Sequence, residues 1–276
     1  MMSAFKLLNY SGQALATRAM SSGITRLQDK VAIVTASTDG IGFAIAKRLA
    51  EEGANVVISS RKEKNVQKAL SELHSAGLKK TFGIPCHVAK KEDRESLFKL
   101  VEDKFGHLDI LVSNAAVNPA VGDVFDCPEE VWDKIFEINV KCAFMLSKEA
   151  IPLMKKAGSG SIVYISSIAG FHPISLLGAY SVSKTALLGL TKAGAADLAK
   201  ENIRVNCIAP GIIQTKFSSA LTDTEDIKET ILQSIPLRRL GKPSEITGAV
   251  AFLCSDDASY LTGETIIITG GSPSRL

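Results

Sequence analysis

Tyr180 and Lys184 place a phenol and an ammonium four residues apart in Gly178-Ala179-Tyr180-Ser181-Val182-Ser183-Lys184. Leu187, Leu188 and Leu190 follow, so the segment reads as a helix and the two groups share one face. A phenol titrating near ~10 is a poor acid or base at neutral pH. A neighbouring positive charge favours the phenolate and lowers that pKa. Together they form a proton donor and acceptor for an alcohol or a carbonyl oxygen. Such a pair alone is ordinary on a solvated helix, and its meaning rests on the residues around it.

A second set of residues suits a phosphate. Thr35-Ala36-Ser37-Thr38-Asp39-Gly40-Ile41-Gly42 joins an apolar strand, Val31 to Thr35, to a helix reading from Ile41 to Glu52. Small residues and two glycines let the backbone approach a pyrophosphate, and the helix N-terminus would meet its charge. The spacing is Thr-x-x-x-x-Gly-x-Gly rather than Gly-x-Gly-x-x-Gly. The next strand ends in Ser59-Ser60-Arg61-Lys62. An acid there would bind an adenosine ribose 2′-hydroxyl and repel a 2′-phosphate, whereas hydroxyls and a guanidinium suit the phosphate. The expected cofactor is therefore NADP(H) rather than NAD(H), the alternative for Arg61 being a solvated loop charge.

Those sets need a scaffold, and the apolar pattern supplies one. Short β-branched runs at Val31 to Thr35, Asn55 to Ser60, Thr81 to Val88, Leu108 to Ser113, Ser161 to Ser166, Ile203 to Ala209 and Thr265 to Thr269 alternate with helical patterns. Those helices read at Lys64 to Ala76, Lys91 to Phe105, Pro128 to Lys156, Ala179 to Lys200 and Ser244 to Cys254. Continuous apolar strands separated by helices predict a Rossmann-type, doubly wound parallel α/β sheet of about seven strands, covered on both faces. One domain over 29–271 is expected, with an irregular, lid-like stretch at 212–240.

Composition removes other classes. The 276 residues are 46% hydrophobic and 22% charged, with a net charge of +3, which does not suggest nucleic acid or an anionic membrane as a partner. No apolar run approaches the ~20 residues of a membrane span, so no integral membrane segment is expected. Five scattered cysteines without Cys-x-x-Cys form no disulfide framework, and four histidines lack metal-ligand spacing. No metal is expected.

The two ends read differently. The first 28 residues carry Lys6, Arg18 and Arg26 but no acid, which is transit-peptide-like or simply a disordered basic extension, and Met20 offers an internal start. The tail 272–276 ends Ser274-Arg275-Leu276, a near relative of the Ser-Lys-Leu address. It predicts a peroxisomal location through the import receptor, with mitochondrion or cytosol as alternatives.

Taken in order, the glycine turn, Ser113-Asn114-Ala115-Ala116, Asn139, Ser167, Tyr180 with Lys184, and Pro210-Gly211 through Thr215 resemble the short-chain dehydrogenase/reductase family over residues 28–271. The resemblance implies catalytic roles for Asn139, Ser167, Tyr180 and Lys184. Tyr180 would give a proton to the substrate oxygen, Lys184 would lower its pKa and bind the nicotinamide ribose, Ser167 would hold the oxygen, and Asn139 would hold a relay water. It implies cofactor contacts from Thr35, Ser37, Thr38, Gly40, Ile41, Gly42, Ser60, Arg61, Lys62, His87, Val88, Asn114, Ala115, Tyr180, Lys184, Pro210, Gly211, Ile213 and Thr215. Ala36, Ser113, Ala116 and His87 depart from the usual pattern, which bears on cofactor affinity.

An apolar wall with Phe171, His172, Ile174, Leu176 and Leu177 suits a hydrophobic ketone or aldehyde, bound beside Ser167 and Tyr180. Relatives reduce aromatic ketones, α-dicarbonyls, retinal and ketosteroids. The resemblance also implies a homotetramer. A β-ketoacyl-thioester reductase, hinted at by Arg238-Arg239, and a non-catalytic dinucleotide-binding scaffold are the alternative readings.

Overall fold

The computed structural model describes residues 25–119, 121–218 and 225–273. The expected N-terminal extension lies mostly outside these residues, and the Ser274-Arg275-Leu276 tail wholly so. Seven strands form: β1 Val31–Val34, β2 Asn55–Ser60, β3 Thr81–Pro85, β4 Ile110–Ser113, β5 Gly160–Ile165, β6 Ile203–Pro210 and β7 Thr265–Ile268. Helices α1 Gly40–Glu51, α2 Glu63–Ser75, α3 Lys91–Phe105, α4 Glu129–Phe136, α5 Cys142–Ala157, α6 Gly178–Leu198, α7 Glu225–Ser234 and α8 Ser244–Cys254 join or flank them. The sheet order is β3-β2-β1-β4-β5-β6-β7, and every pairing is parallel.

Period-two alternation splits each strand between two cores. Ala32, Val34, Val56, Ile58, Ile110 and Val112 face α1, α2 and α8. Val31, Ile33, Val57, Leu111, Ile162 and Tyr164 face α3, α5 and α6. With both faces covered, β1 and β4 are buried at every residue, which is why their sequences read as unbroken apolar runs. The strand order reverses at β1, between β2 and β4. Doubly wound sheets open a ligand crevice beyond the carboxyl ends of strands at such a point.

Three departures from the sequence pattern matter. The helix expected over Pro128 to Lys156 is broken by a π turn at Glu137–Lys141. The turn carries Asn139 inward to 1% exposure, where its side chain grips the Val117 backbone. The stretch 212–240, expected to be irregular, contains the α7 helix. The packed chain also begins ahead of Asp29: Leu27 is fully buried, and the Arg26 guanidinium forks onto the Glu52 carboxylate at 2.9 and 2.8 Å.

The β1–α1 connection is the tightest part of the crevice. A Cβ on Gly42 would lie 2.5 Å from both the Ala36 carbonyl oxygen and the Asn114 amide nitrogen, so only glycine lets helix and turn come this close. To fold that tightly, Ala36 adopts φ +49°, the left-handed region that disfavours a residue with a Cβ. Ala36→Gly removes that cost, and part of the gain is offset because glycine orders more backbone freedom. The expected outcome is a net gain of roughly 1 kcal/mol, seen as a melting point about 2 °C higher. An unchanged or lower melting point would show that the turn is unstrained.

Candidate active site

Helix α6 is pinned to β5 at its first turns. The Ser166 hydroxyl donates to the Lys184 carbonyl at 2.8 Å, and the Lys184 ammonium donates to the Ile165 carbonyl at 2.9 Å. A Cβ on Gly170 would sit 2.9 Å from the Lys184 carbonyl group, so the short turn Ile168–Gly170 also lies flat on the helix. These contacts bring three sequence-predicted residues together. Ser167 acts on the Tyr180 phenol, lowering its pKa, and the Lys184 nitrogen lies 5.5 Å from the Tyr180 ring centre. Ser167 also caps its own turn, accepting from the Ala169 N–H at 3.1 Å.

Burial governs the electrostatics. Lys184 is 2% exposed and Tyr180 9% exposed. Desolvation disfavours the charged form of each. It pushes the Tyr180 phenol up to about 12, against a lowering by the Ser167 hydrogen bond, and pushes the Lys184 ammonium down to about 8. The net shift of Tyr180 is therefore upward, because loss of water around the phenolate outweighs the lowering by Ser167. A phenol that keeps its proton at neutral pH is suited to giving one away.

These residues line a cavity of about 340 Å³ at the carboxyl ends of β1, β4, β5 and β6. Gly40, Ile41, Gly42 and Asn114 line it, as do Pro210, Gly211, Ile213 and Thr215. The polar residues of the turn mostly hold the frame. The buried Thr35 hydroxyl accepts from the Asn114 and Ala115 N–H groups, at 3.0 and 3.2 Å. The buried Ser37 hydroxyl donates to the Val34 carbonyl and accepts from the Ser59 N–H, at 2.5 and 3.0 Å. The Asn114 amide donates to the Thr35 and Ala36 carbonyls, each at 3.1 Å. Thr38 lies half-buried in the same turn.

The site fits a dinucleotide on three counts. The glycine cradle at Gly42 leaves backbone at the α1 N-terminus. Ser60 is half-buried, and Arg61 and Lys62 are exposed at the end of β2 with no side-chain partner among the described residues. One residue earlier, the fully buried Ser59 hydroxyl lacks a partner. Buried polar atoms are ordinarily bonded, so this end of β2 suits a polar ligand group.

Other predicted residues sit apart from the cavity. His87 is half-buried beyond β3, its N–H on the Asp93 carboxylate at 2.8 Å, and the Val88 carbonyl accepts from Arg94 at 2.8 Å. Phe171, His172 and Leu176 lie outside the cavity wall, which Ile174 and Leu177 form on that side. Leu176 is 52% exposed, at φ +65°. The Asn139 amide donates to the Ser183 hydroxyl at 3.0 Å as well as to Val117, so its side chain ties α6 to the loop after β4. Sequence reasoning missed Asp39, Lys216 and Phe217, all of which line the cavity. Asp39 carried a signal as a helix-capping residue before Gly40. Its carboxylate accepts from the Gly40 N–H at 2.8 Å, and its pKa is held down chiefly by a 2.6 Å bond from Lys216.

Lys184 sets a pH dependence of stability. Its folded pKa is depressed from 10.5 to about 8, so the unfolded chain binds more protons between those values and stability rises with pH there. The gain is roughly 3 kcal/mol. Tyr180 acts oppositely and only above its ordinary value of 10, where the folded state keeps a proton the unfolded state loses. Urea denaturation of the wild type and Lys184→Met at pH 7.5 and pH 10 is expected to show the wild type gaining on the variant. Parallel pH dependence in the two proteins would refute a depressed Lys184.

Comparison with known proteins agrees with this geometry. A family model described as enoyl-(acyl carrier protein) reductase matches residues 35–272. Dehydrogenase/reductase SDR family member 4 of Oryctolagus cuniculus is 58% identical over 259 residues, covering 93% of this chain and 99% of the relative. Its Mus musculus counterpart is 55% identical over 280 residues, covering all of both chains. The crystal structure of a short-chain type dehydrogenase/reductase from Mycobacterium marinum superposes with a TM-score of 0.83 at 33% identity, over 90% of this chain and 97% of that one. The chain belongs to the short-chain dehydrogenase/reductase family, oxidoreductases that act on alcohol and carbonyl groups with a nicotinamide dinucleotide.

Proposed function

We propose that this protein is an NADPH-dependent carbonyl reductase for hydrophobic ketones and aldehydes. The observation that carries the reading is the meeting of Ser167, Tyr180 and Lys184 in one cavity with the Gly40–Gly42 turn. A bound nicotinamide dinucleotide would supply hydride to the carbonyl carbon. Ser167 holds the carbonyl oxygen and stabilises the charge that develops on it. Tyr180 donates its proton to that oxygen. Lys184 lines the same cavity, where it would bind the ribose and restore the proton. Asn139 acts as a positioning residue, keeping α6 and the loop after β4 in register. Gly40, Ile41, Gly42 and Asn114 would face the pyrophosphate and nicotinamide half, and Pro210, Gly211, Ile213 and Thr215 would close over it.

Arg61 supports NADPH over NADH, since a guanidinium free of partners at the end of β2 is suited to a 2′-phosphate. The apolar side made by Ile168, Ile174, Leu177 and Phe217 favours uncharged substrates of the aromatic ketone, α-dicarbonyl, retinal or ketosteroid type. The arginines that hinted at a carrier-bound thioester are otherwise engaged. Arg239 forks onto Glu245 at 2.7 and 2.6 Å, and Arg238 donates to the Gln233 carbonyl at 2.8 Å.

A homotetramer rests on the family resemblance, and Phe144, 49% exposed on α5, is the large apolar side chain such contacts would cover. Peroxisomal location rests on Ser274-Arg275-Leu276. No helix among the described residues is long and apolar enough to cross a membrane.

Two experiments test this reading. Tyr180→Phe is expected to lower kcat by roughly 10²–10⁴-fold in NADPH-dependent ketone reduction while NADPH binding persists. Turnover at the wild-type rate would remove the proposed proton donor. For the cofactor, Arg61→Asp is expected to weaken NADPH binding by roughly 100-fold and spare NADH, as loss of a charge-assisted phosphate contact plus repulsion requires. Wild-type protein that uses both cofactors equally would refute the role of Arg61.

A further inference from the structure

Phe217 is an exposed aromatic ring placed against a reacting side chain. It is 51% exposed, lines the 340 Å³ cavity, and lies 5.8 Å from the Tyr180 ring, centre to centre, at an interplanar angle of 42°. That separation and tilt fall within the range where aromatic pairs attract. The ring is presented by a defined turn rather than a loose loop. The Ser218 hydroxyl donates to the Ile213 carbonyl at 2.6 Å and accepts from the Thr215 N–H at 3.1 Å. On the other side of Phe217, Lys216 is anchored to Asp39 across the cleft. Adjacent side chains thus reach opposite halves of the cavity, Lys216 to the phosphate turn and Phe217 to the phenol.

About half of this ring stays exposed, and the cavity it lines also has Ile174 and Leu177 in its wall. We propose that Phe217 is a specificity-determining residue, a stacking platform beside Tyr180 that favours carbonyl substrates bearing a planar aryl group. This rests on the reductase reading above and narrows it. A flat π face on the substrate can lie along the exposed side of Phe217 while its carbonyl reaches Tyr180 and Ser167. A saturated ring of the same size fits the space but not the electrostatics of the ring face.

Phe217 also helps to keep water from the phenol. The titratable groups lining the cavity besides Tyr180 are Lys184 on its own helix, Asp39 at the α1 cap and Lys216 on the Phe217 turn, and Ser167 supplies a hydroxyl. None of these changes when Phe217 is replaced. Removing the ring lets water solvate the phenolate, so the Tyr180 pKa falls from about 12 toward its ordinary 10.

The test compares acetophenone with cyclohexyl methyl ketone, using NADPH, in wild type, Phe217→Leu, Phe217→Ala and Phe217→Tyr. The wild type is expected to prefer the aryl ketone in kcat/KM. That preference falls roughly two- to tenfold in the Leu and Ala variants and is kept by Tyr. NADPH fluorescence titration confirms that each variant keeps its cleft, and Phe217→Leu decides if the Ala protein does not fold. An aryl preference unchanged in Leu, or absent from the wild type, overturns the proposal. A wild type that reduces neither ketone nor any other carbonyl defeats the reductase reading instead.

Discussion

The bond from the Lys184 ammonium to the Ile165 carbonyl, 2.9 Å long and buried, holds the chemistry of this molecule in place. A charged group out of water must find a partner, and here the partner is the last residue of β5. That requirement fixes how α6 lies against the sheet edge of the crevice. Ser166 and Gly170 reinforce the same contact from the strand end and the following turn. With α6 set, Tyr180 and Ser167 line the same cavity. The same burial that positions the pair also tunes it, raising the phenol and lowering the ammonium.

Most polar side chains near the cavity serve the frame. Thr35, Ser37, Asn114 and Asn139 bond backbone groups of neighbouring segments, where a sheet ladder cannot reach. Buried backbone polar groups require partners, and these short side chains supply them at strand ends. The result is a rigid rim on which glycine leaves backbone exposed. Few groups remain free to act, chiefly Ser167, Tyr180 and, at the outer end, Arg61. Thr35 and Ser37, expected near a cofactor, are buried and hold backbone groups of neighbouring segments.

The segment after β6 closes the crevice from the other side. Lys216 crosses to Asp39, the residue that caps α1. Being exposed, that ion pair contributes little to stability. Its consequence is geometric: the turn bearing Thr215, Phe217 and Ser218 is held over the cavity, which therefore has a polar half near the glycine turn and an apolar half near Tyr180.

By itself the sequence determined the class of fold and singled out candidate groups for the chemistry. Unbroken β-branched runs such as Val31–Val34 and Ile110–Ser113 can only be strands covered on both faces, so the parallel sheet was legible. Tyr180 and Lys184 were legible because their spacing and chemistry are local properties, and Ser167 through its place in the family's order of motifs. The π turn at Glu137–Lys141 was not, since a helical pattern does not show where one residue is inserted. Nor was the direction of the Tyr180 shift, because spacing shows a neighbouring charge but not the loss of water around it. Phe217 was hidden for a related reason: its partner lies 37 residues away, and only the packing of the turn on α6 brings the rings together. Tertiary structure decided those features because desolvation and ring contact depend on what surrounds a group in space, which residue order along a chain does not carry.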